Sequence, residues 1–195
     1  MGKVVRYRPQ HAQSEWTASL GMIVFLGSWG MMFGALFFSY GIVRVHATMW
    51  PPPDLPALPL VLPGVNTVAL AASSLVLRRA ERAIAGDDAR RAARAIAAAA
   101  LLGSVFLGLQ LVVWLGLYEV GLTLSTGTYA SVFYLMTCFH ALHVMVGLVA
   151  LACLAVRTYR GRYNAARHLP IRLWSMYWHF VGAVWGAMFL ALYVL

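Results

Sequence analysis

The chain has 195 residues, of which 62% are hydrophobic and only 11% are charged. Soluble domains have about 45 to 50% apolar and about 25% charged residues, so this chain has too few charges to cover a surface in water. The composition excludes an ordinary soluble enzyme and predicts a single integral membrane domain over residues 1–195. A net charge of +9 would suggest a nucleic-acid partner in a soluble protein. In a membrane protein such a charge more commonly records orientation, so no nucleic acid is expected.

Five stretches of the chain are long and apolar enough to cross the bilayer, which takes about 20 helical residues. They cover residues 16–43, 64–85, 92–118, 128–156 and 171–195. None shows the two-residue alternation of barrel strands, so the prediction is an all-α bundle of five transmembrane helices. Five of the eight prolines lie at positions 51 to 59, which predicts an extended interfacial loop with Trp50 as an aromatic anchor.

Basic residues are distributed very unevenly over the predicted loops. Of the 15 Lys and Arg residues, 14 lie before the first helix, around the second connection or around the fourth, and only Arg44 lies on the other side. Loops rich in Lys and Arg stay in the cytoplasm, which predicts a cytoplasmic N-terminus and an extracytoplasmic C-terminus. The arginines stand at helix ends and not in a fold that reads nucleic acid, which supports this interpretation.

The turn between the second and third helices and the two cysteines can each be interpreted from local sequence. Gly86 is predicted to end the second helix and Asp88 to cap the third. Cys138 and Cys153 both lie within apolar stretches, so they form neither a CxxC pair nor a disulfide framework. We interpret the two cysteines as helix-packing residues.

Polar side chains inside the predicted helices are few, and each is a functional-site candidate. His140 and His143 are three residues apart and therefore share one helix face. Together with His179, or with Cys138, they leave haem or metal ligation open, although a metal commonly needs three or four ligands. We favour the alternative that these histidines connect helices by hydrogen bonds. A small transporter is less well supported, because no internal repeat and almost no mid-membrane charge is evident.

Two runs of residues resemble a known family. Residues 127–147 read Gly-Thr-Tyr-Ala-Ser-Val-Phe-Tyr-Leu-Met-Thr-Cys-Phe-His-Ala-Leu-His-Val-Met-Val-Gly, and residues 176–185 read Met-Tyr-Trp-His-Phe-Val-Gly-Ala-Val-Trp. Both resemble subunit III of haem-copper cytochrome c oxidases, which has Thr-Gly-Phe-His-Gly-Leu-His-Val and Tyr-Trp-His-Phe-Val-Asp-x-Val-Trp. Further motifs at Trp50, at Asn66 and from Gly103 to Gln110 follow in the family's order. The resemblance covers about residues 16–195 and is closest to the five-helix bacterial form.

The resemblance implies a non-catalytic structural subunit of a respiratory terminal oxidase in the bacterial plasma membrane. Haems and copper belong to subunits I and II of that family, so no cofactor, metal or catalytic residue is expected in this chain. It is expected to pack on subunit I in a complex with subunit II, to bind phospholipid and to support sustained proton-coupled oxygen reduction. The open alternatives are a related partner of a nitric oxide reductase or quinol oxidase, and a haem b carrier that uses His140 or His143 with His179.

Family resemblance also implies a set of residues that pack between helices or at the lipid interface. These are Trp50, Asn66, Gln110, Tyr129, His140, His143, Tyr177, Trp178, His179 and Trp185. None of them is expected to act as a ligand or an acid.

Four positions depart from the family, which carries acidic residues there. They are occupied here by Trp29, Val113, Arg172 and Gly182. A buried carboxylate needs compensating partners, so we expect the four acids to have been lost as one group of neighbours. Their absence argues against a proton-antenna role for this chain.

Overall fold

The computed structural model describes residues 9–47, 49–50 and 59–194, and it contains no strand within those ranges. All five predicted transmembrane helices are present, and each is long and apolar enough to cross a membrane. They are α1 (Pro9–His46), α2 (Val61–Ala85), α3 (Ala89–Glu119), α4 (Thr128–Tyr159) and α5 (Leu169–Phe189), and α5 continues as a π-helical turn, Leu190–Val194. The proline-rich loop predicted at positions 51–59 lies, up to residue 58, outside the described residues.

The helices are longer than their apolar segments. Helix α1 begins at Pro9, well before the predicted residue 16, and α4 ends at Tyr159, beyond the predicted residue 156. Hydropathy marks only the part of a helix that lies in hydrocarbon. Backbone hydrogen bonding continues past that part, so polar and charged residues extend the helices at the membrane surfaces.

Helix α5 packs against α1, α2 and α4, and helices that follow one another in the chain alternate in direction. The hydroxyl of Ser73 on α2 donates to the carbonyl of Ala99 on α3 at 2.8 Å, which joins these two helices as a hairpin. Helix α1 packs mainly against α5 and α4 among the described helices. It runs parallel to α5, because the Tyr40 hydroxyl near its end donates to the Ala191 carbonyl at 2.8 Å.

This alternation gathers the described arginines other than Arg44 at one end of the bundle, which we call the basic end. They lie at the end of α2, the start of α3, the end of α4, the loop that follows it and the start of α5: Arg78, Arg79, Arg82, Arg90, Arg91, Arg94, Arg157, Arg160, Arg162, Arg167 and Arg172. The two turns at this end touch each other, since the Ala165 amide donates to Asp87 Oδ1 at 3.0 Å.

The α2–α3 turn forms largely as the sequence predicts. Asp88 caps α3, and its side chain accepts a hydrogen bond from the Arg91 amide at 2.8 Å. The residue with a positive φ of 62° is Asp87, whereas Gly86 has a φ of −85°. Asp tolerates the left-handed region because its short polar side chain can bond locally.

Trp178 is the fully buried side chain that joins four of the helices. Its indole lies against Gly103 of α3 and Gly147 of α4, where a Cβ atom would come within 2.6 Å and 2.8 Å of the ring, respectively. The indole Nε1 donates to Ser73 Oγ on α2 at 2.9 Å. One ring on α5 therefore fills the space between three neighbouring helices.

We expect Gly103→Ala to destabilise the bundle by about 1 to 3 kcal/mol, because the added methyl group collides with the rigid indole of Trp178. Thermal unfolding of the detergent-solubilised protein measures the change. Gly108→Ala on the same helix is the matched control, since a Cβ there meets no atom within 4 Å. Equal unfolding temperatures for the two variants would contradict this packing.

Candidate functional site in the bundle interior

A second buried tryptophan continues the contact between α5 and α2. Trp185 Nε1 donates to Thr67 Oγ1 at 3.0 Å, and that hydroxyl donates in turn to the Pro63 carbonyl at 2.8 Å. The ring of Phe106 meets Trp185 edge to face with centroids 4.7 Å apart. The buried polar groups here are used to link helices to one another.

His143 is anchored within α4 and against α5 and α1. Its Nδ1 lies 2.7 Å from the Phe139 carbonyl, and a carbonyl only accepts, so Nδ1 carries the proton. Its own carbonyl accepts from the Tyr177 hydroxyl at 3.0 Å. Nε2 has no partner among the described residues, and the Trp29 ring lies edge-on to the imidazole at a centroid distance of 3.9 Å. The imidazole is therefore held in one orientation by a hydrogen bond at Nδ1 and a ring contact.

His140 is enclosed by aromatic rings. It is 1% exposed, and neither ring nitrogen has a hydrogen-bond partner among the described residues. The rings of Phe33, Phe106 and Trp185 lie at centroid distances of 6.3, 6.0 and 5.5 Å. An isolated charge in such surroundings is very costly, so His140 is suited to be a neutral packing residue.

Asn66 and Gln110 form the polar contact between α2 and α3 nearer the end opposite the basic end. Asn66 Nδ2 donates to Gln110 Oε1 at 3.3 Å, and both residues are fully buried. Asn66 Oδ1 and Gln110 Nε2 have no further partner within the described ranges. The Tyr193 hydroxyl of the C-terminal turn lies beside Gln110, and its place in this cluster had no signal in the sequence motifs.

Trp50 and Tyr129 meet at the same end of the bundle. The Trp50 ring is T-shaped against Tyr129 at 4.8 Å and against Tyr40 at 5.6 Å. The loop after α1 is thereby attached to the start of α4 as well as to α1. Trp50 is half-buried and packs on protein, in addition to any role at the interface.

His179 faces a different side of α5 from Trp178. Ser175 Oγ lies 3.3 Å from its Nε2, and the imidazole lines a depression together with Arg78 and Glu81 of α2. His140 instead lies among the rings between α1, α3, α4 and α5. The haem alternative requires His179 to face His140 or His143 on α4. The structure places His179 on another side of α5, away from that pair.

The metal alternative also lacks its donor set. In the described part of the chain, no group of three or more His, Cys, Asp or Glu side chains could hold a metal ion. Cys138, the additional ligand considered, is exposed on the outer surface, as is Cys153. The interpretation of the cysteines as helix-packing residues is therefore wrong. Both thiols face outward, because a lipid-facing position accepts a small, weakly polar side chain as readily as a packed one.

The four positions without the family's acids do not form one cluster. Trp29 lies on His143, Val113 is buried in the core, and Gly182 is next to Ser74, whose Oγ would be 3.4 Å from an added Cβ. Arg172 is exposed at the basic end, ten residues or about 15 Å along α5 from Gly182. The expectation that these positions compensate one another as neighbours is wrong, since each has different surroundings.

We expect His140→Leu to leave the free energy of unfolding within about 1 kcal/mol of the parent or to raise it, because the imidazole has no hydrogen bond to lose and Leu has a similar volume. Gln110→Leu is the comparison, since it leaves the Asn66 amide unpaired and should cost about 1 to 3 kcal/mol. Denaturant or thermal unfolding in detergent measures both. A larger loss for His140→Leu than for Gln110→Leu would show that His140 has a partner that the packing does not account for.

Comparisons with known proteins point to one family. Residues 6–195 match the family described as Cytochrome c oxidase subunit III. The chain is 39% identical over 177 residues to cytochrome c oxidase subunit 3 of Thermostichus vulcanus, a match that covers 90% of this chain and 86% of the relative. It is 36% identical to the Synechocystis sp. protein of the same name, a match that covers 90% of this chain and 74% of the relative. It is 33% identical to the Triticum aestivum protein of that name, a match that covers 89% of this chain and 66% of the relative. The chain therefore belongs to the cytochrome c oxidase subunit III family.

Proposed function

We propose that this chain is the non-catalytic structural subunit of a respiratory haem-copper oxidase, in which the haems and copper are held by other subunits. The observation that carries the proposal is the use of the buried polar groups. The indole N–H groups of Trp178 and Trp185 are bonded to hydroxyls of α2, and Tyr177 is bonded to α4. His140 and His143 both meet the Phe33 ring, whereas His179 lies with Arg78 and Glu81, and these surroundings support a packing role for all three histidines.

The basic end is proposed to face the cytoplasm of a bacterial plasma membrane. Excess Lys and Arg keep a loop on the cytoplasmic side, and 14 of the 15 basic residues belong to segments at this end. Cyanobacterial relatives support the bacterial membrane. In this orientation the chain packs on subunit I, with subunit II in the same complex.

Phospholipid is the proposed non-protein partner. A groove of about 630 Å³ runs between α4 and α5, which we call the α4–α5 groove. Its walls are almost entirely apolar, and at the basic end it carries one charged residue: the lining includes Leu142, Met145, Val149, Trp174 and Arg157. An acyl chain along the apolar wall and a phosphate at Arg157 would satisfy both parts of the groove.

We expect a tagged form of this chain to co-purify with haem-copper subunits, and the chain separated from them to show no haem spectrum. His179→Leu should leave the haem content of the complex unchanged, because the imidazole bonds Ser175 of its own helix and lines a depression with Arg78 and Glu81 of α2. Reduced-minus-oxidised spectra and pyridine haemochrome assays measure the content. A stoichiometric haem that stays with the separated chain and disappears in His179→Leu would favour the electron-carrier alternative.

Loss of the chain should shorten the active life of the oxidase more than it lowers the first turnovers. A structural subunit supports the catalytic core from outside, so the initial rate should stay close to that of the parent while activity decays within fewer turnovers. Oxygen-electrode traces of complexes with and without the chain measure both quantities. An immediate loss of the initial rate would instead assign the chain a direct part in catalysis.

A further inference from the structure

Two adjacent depressions between α2 and α5 share lining residues, and together we call them the α2–α5 groove. The first, of about 480 Å³, lies at the basic end and is lined by polar and charged side chains: Arg78, Glu81, Arg82, His168, Arg172 and His179, together with Met176. The second, of about 460 Å³, continues toward the middle of the bundle and has a mostly apolar lining that includes Leu70, Leu75, Gly182, Ala183 and Gly186. Arg78 and His179 belong to both linings, which joins the two parts.

The head of the α2–α5 groove has an excess of unpaired positive charge. The side chains of Arg82 and Arg172 make no hydrogen bond or ion pair with any residue that the structure describes. Glu81 is the single acidic side chain among the lining residues of this depression. Glu15 lines a neighbouring depression, to which Arg172 also contributes. The guanidinium groups therefore have donors available for a phosphate, with which they pair in a bidentate geometry.

The rest of the groove is open because α5 carries small residues there. A Cβ on Gly186 would meet no atom within 4 Å, and one on Gly182 would meet only Ser74 Oγ, at 3.4 Å. The arginines at the head of the groove match the phosphate of a phospholipid, and the apolar wall that follows matches its acyl chain. A soluble anion would use only the head of the groove, and a partner helix would leave the arginines without counter-charges.

Two of the four residues that replace the family's acids line this groove. Arg172 stands at its head and Gly182 on its apolar wall. Both changes remove negative charge from the groove, and the first adds a positive charge. The groove in this chain is therefore better suited to an anionic headgroup than one with two carboxylates would be.

We propose that the α2–α5 groove binds one anionic phospholipid, with its phosphate at Arg82 and Arg172 and an acyl chain along Gly182 and Gly186. The site rests on the proposed lipid-binding role but is separate from the α4–α5 groove. Two arginines near an anionic headgroup together change the affinity by about 20-fold.

The test uses the intact, delipidated oxidase complex that contains this chain, titrated with phosphatidylglycerol and followed by native mass spectrometry. The Arg82→Gln, Arg172→Gln double variant should bind phosphatidylglycerol about 20-fold more weakly and retain one molecule fewer. The Arg90→Gln, Arg91→Gln variant is the control, because it removes the same charge from exposed residues at the same end outside the groove. It should keep the affinity of the parent.

A second pair of variants tests the apolar part without altering charge. Gly186→Leu places a side chain in the groove and should reduce phosphatidylglycerol retention, whereas Gly108→Leu, at an equally open position on α3, should not. Phosphatidylcholine should bind the parent more weakly than phosphatidylglycerol. Inorganic phosphate should not displace the bound lipid.

Equal lipid binding in the groove and control variants would overturn the proposal, as would displacement of the lipid by inorganic phosphate. Loss of the haem-copper subunits from the groove variants with lipid retention unchanged would instead identify the groove as a protein interface. The same preparations show whether the parent chain co-purifies with haem-copper subunits, which tests the proposed function. Lipid retention tests the groove, so failure of one proposal can be distinguished from failure of the other.

Discussion

The contact of the Trp178 indole with Gly103, Gly147 and Ser73 is the constraint on which the rest of the bundle depends. In lipid, apolar side chains gain little by leaving the solvent, so helices associate through close packing and hydrogen bonds. The indole provides both, because its faces touch backbone at two glycines and its N–H is bonded to Ser73 at 2.9 Å. A bulkier residue at either glycine would force α3 or α4 away from α5.

This contact also determines where the other polar side chains of α5 point. With Trp178 directed between α3 and α4, Tyr177 reaches the His143 carbonyl, and Trp185, seven residues later, reaches Thr67 on α2. His179 is turned toward α2, where it lies with Arg78 and Glu81. The separation of His179 from the α4 histidines thus follows from the packing of its neighbour.

The sequence predicts where the helices lie in the chain, but it does not predict which face of each helix is buried. Hydropathy identified five helices, and Asp88 caps α3 as its position predicts. The seven-residue spacing of Asn66 and Ser73 places them on one face of α2, yet only the packed bundle shows that they meet Gln110 and Trp178. In a membrane helix the lipid-facing and buried sides are both apolar, so hydrophobic periodicity carries little information on burial. The same degeneracy explains why the cysteines were assigned to the wrong side.

The shortage of acidic residues has separate local consequences, because Trp29, Gly182 and Arg172 have different surroundings. At position 29 the Trp ring lies beside the imidazole of His143, whose Nε2 has no hydrogen-bond partner among the described residues. At positions 172 and 182 the changes alter one groove at two depths, adding a cation at its head and removing a side chain from its wall. A buried carboxylate next to an imidazole and a carboxylate in a lipid-facing groove are compensated by different groups. A carboxylate at one of these positions would therefore place no requirement on the other.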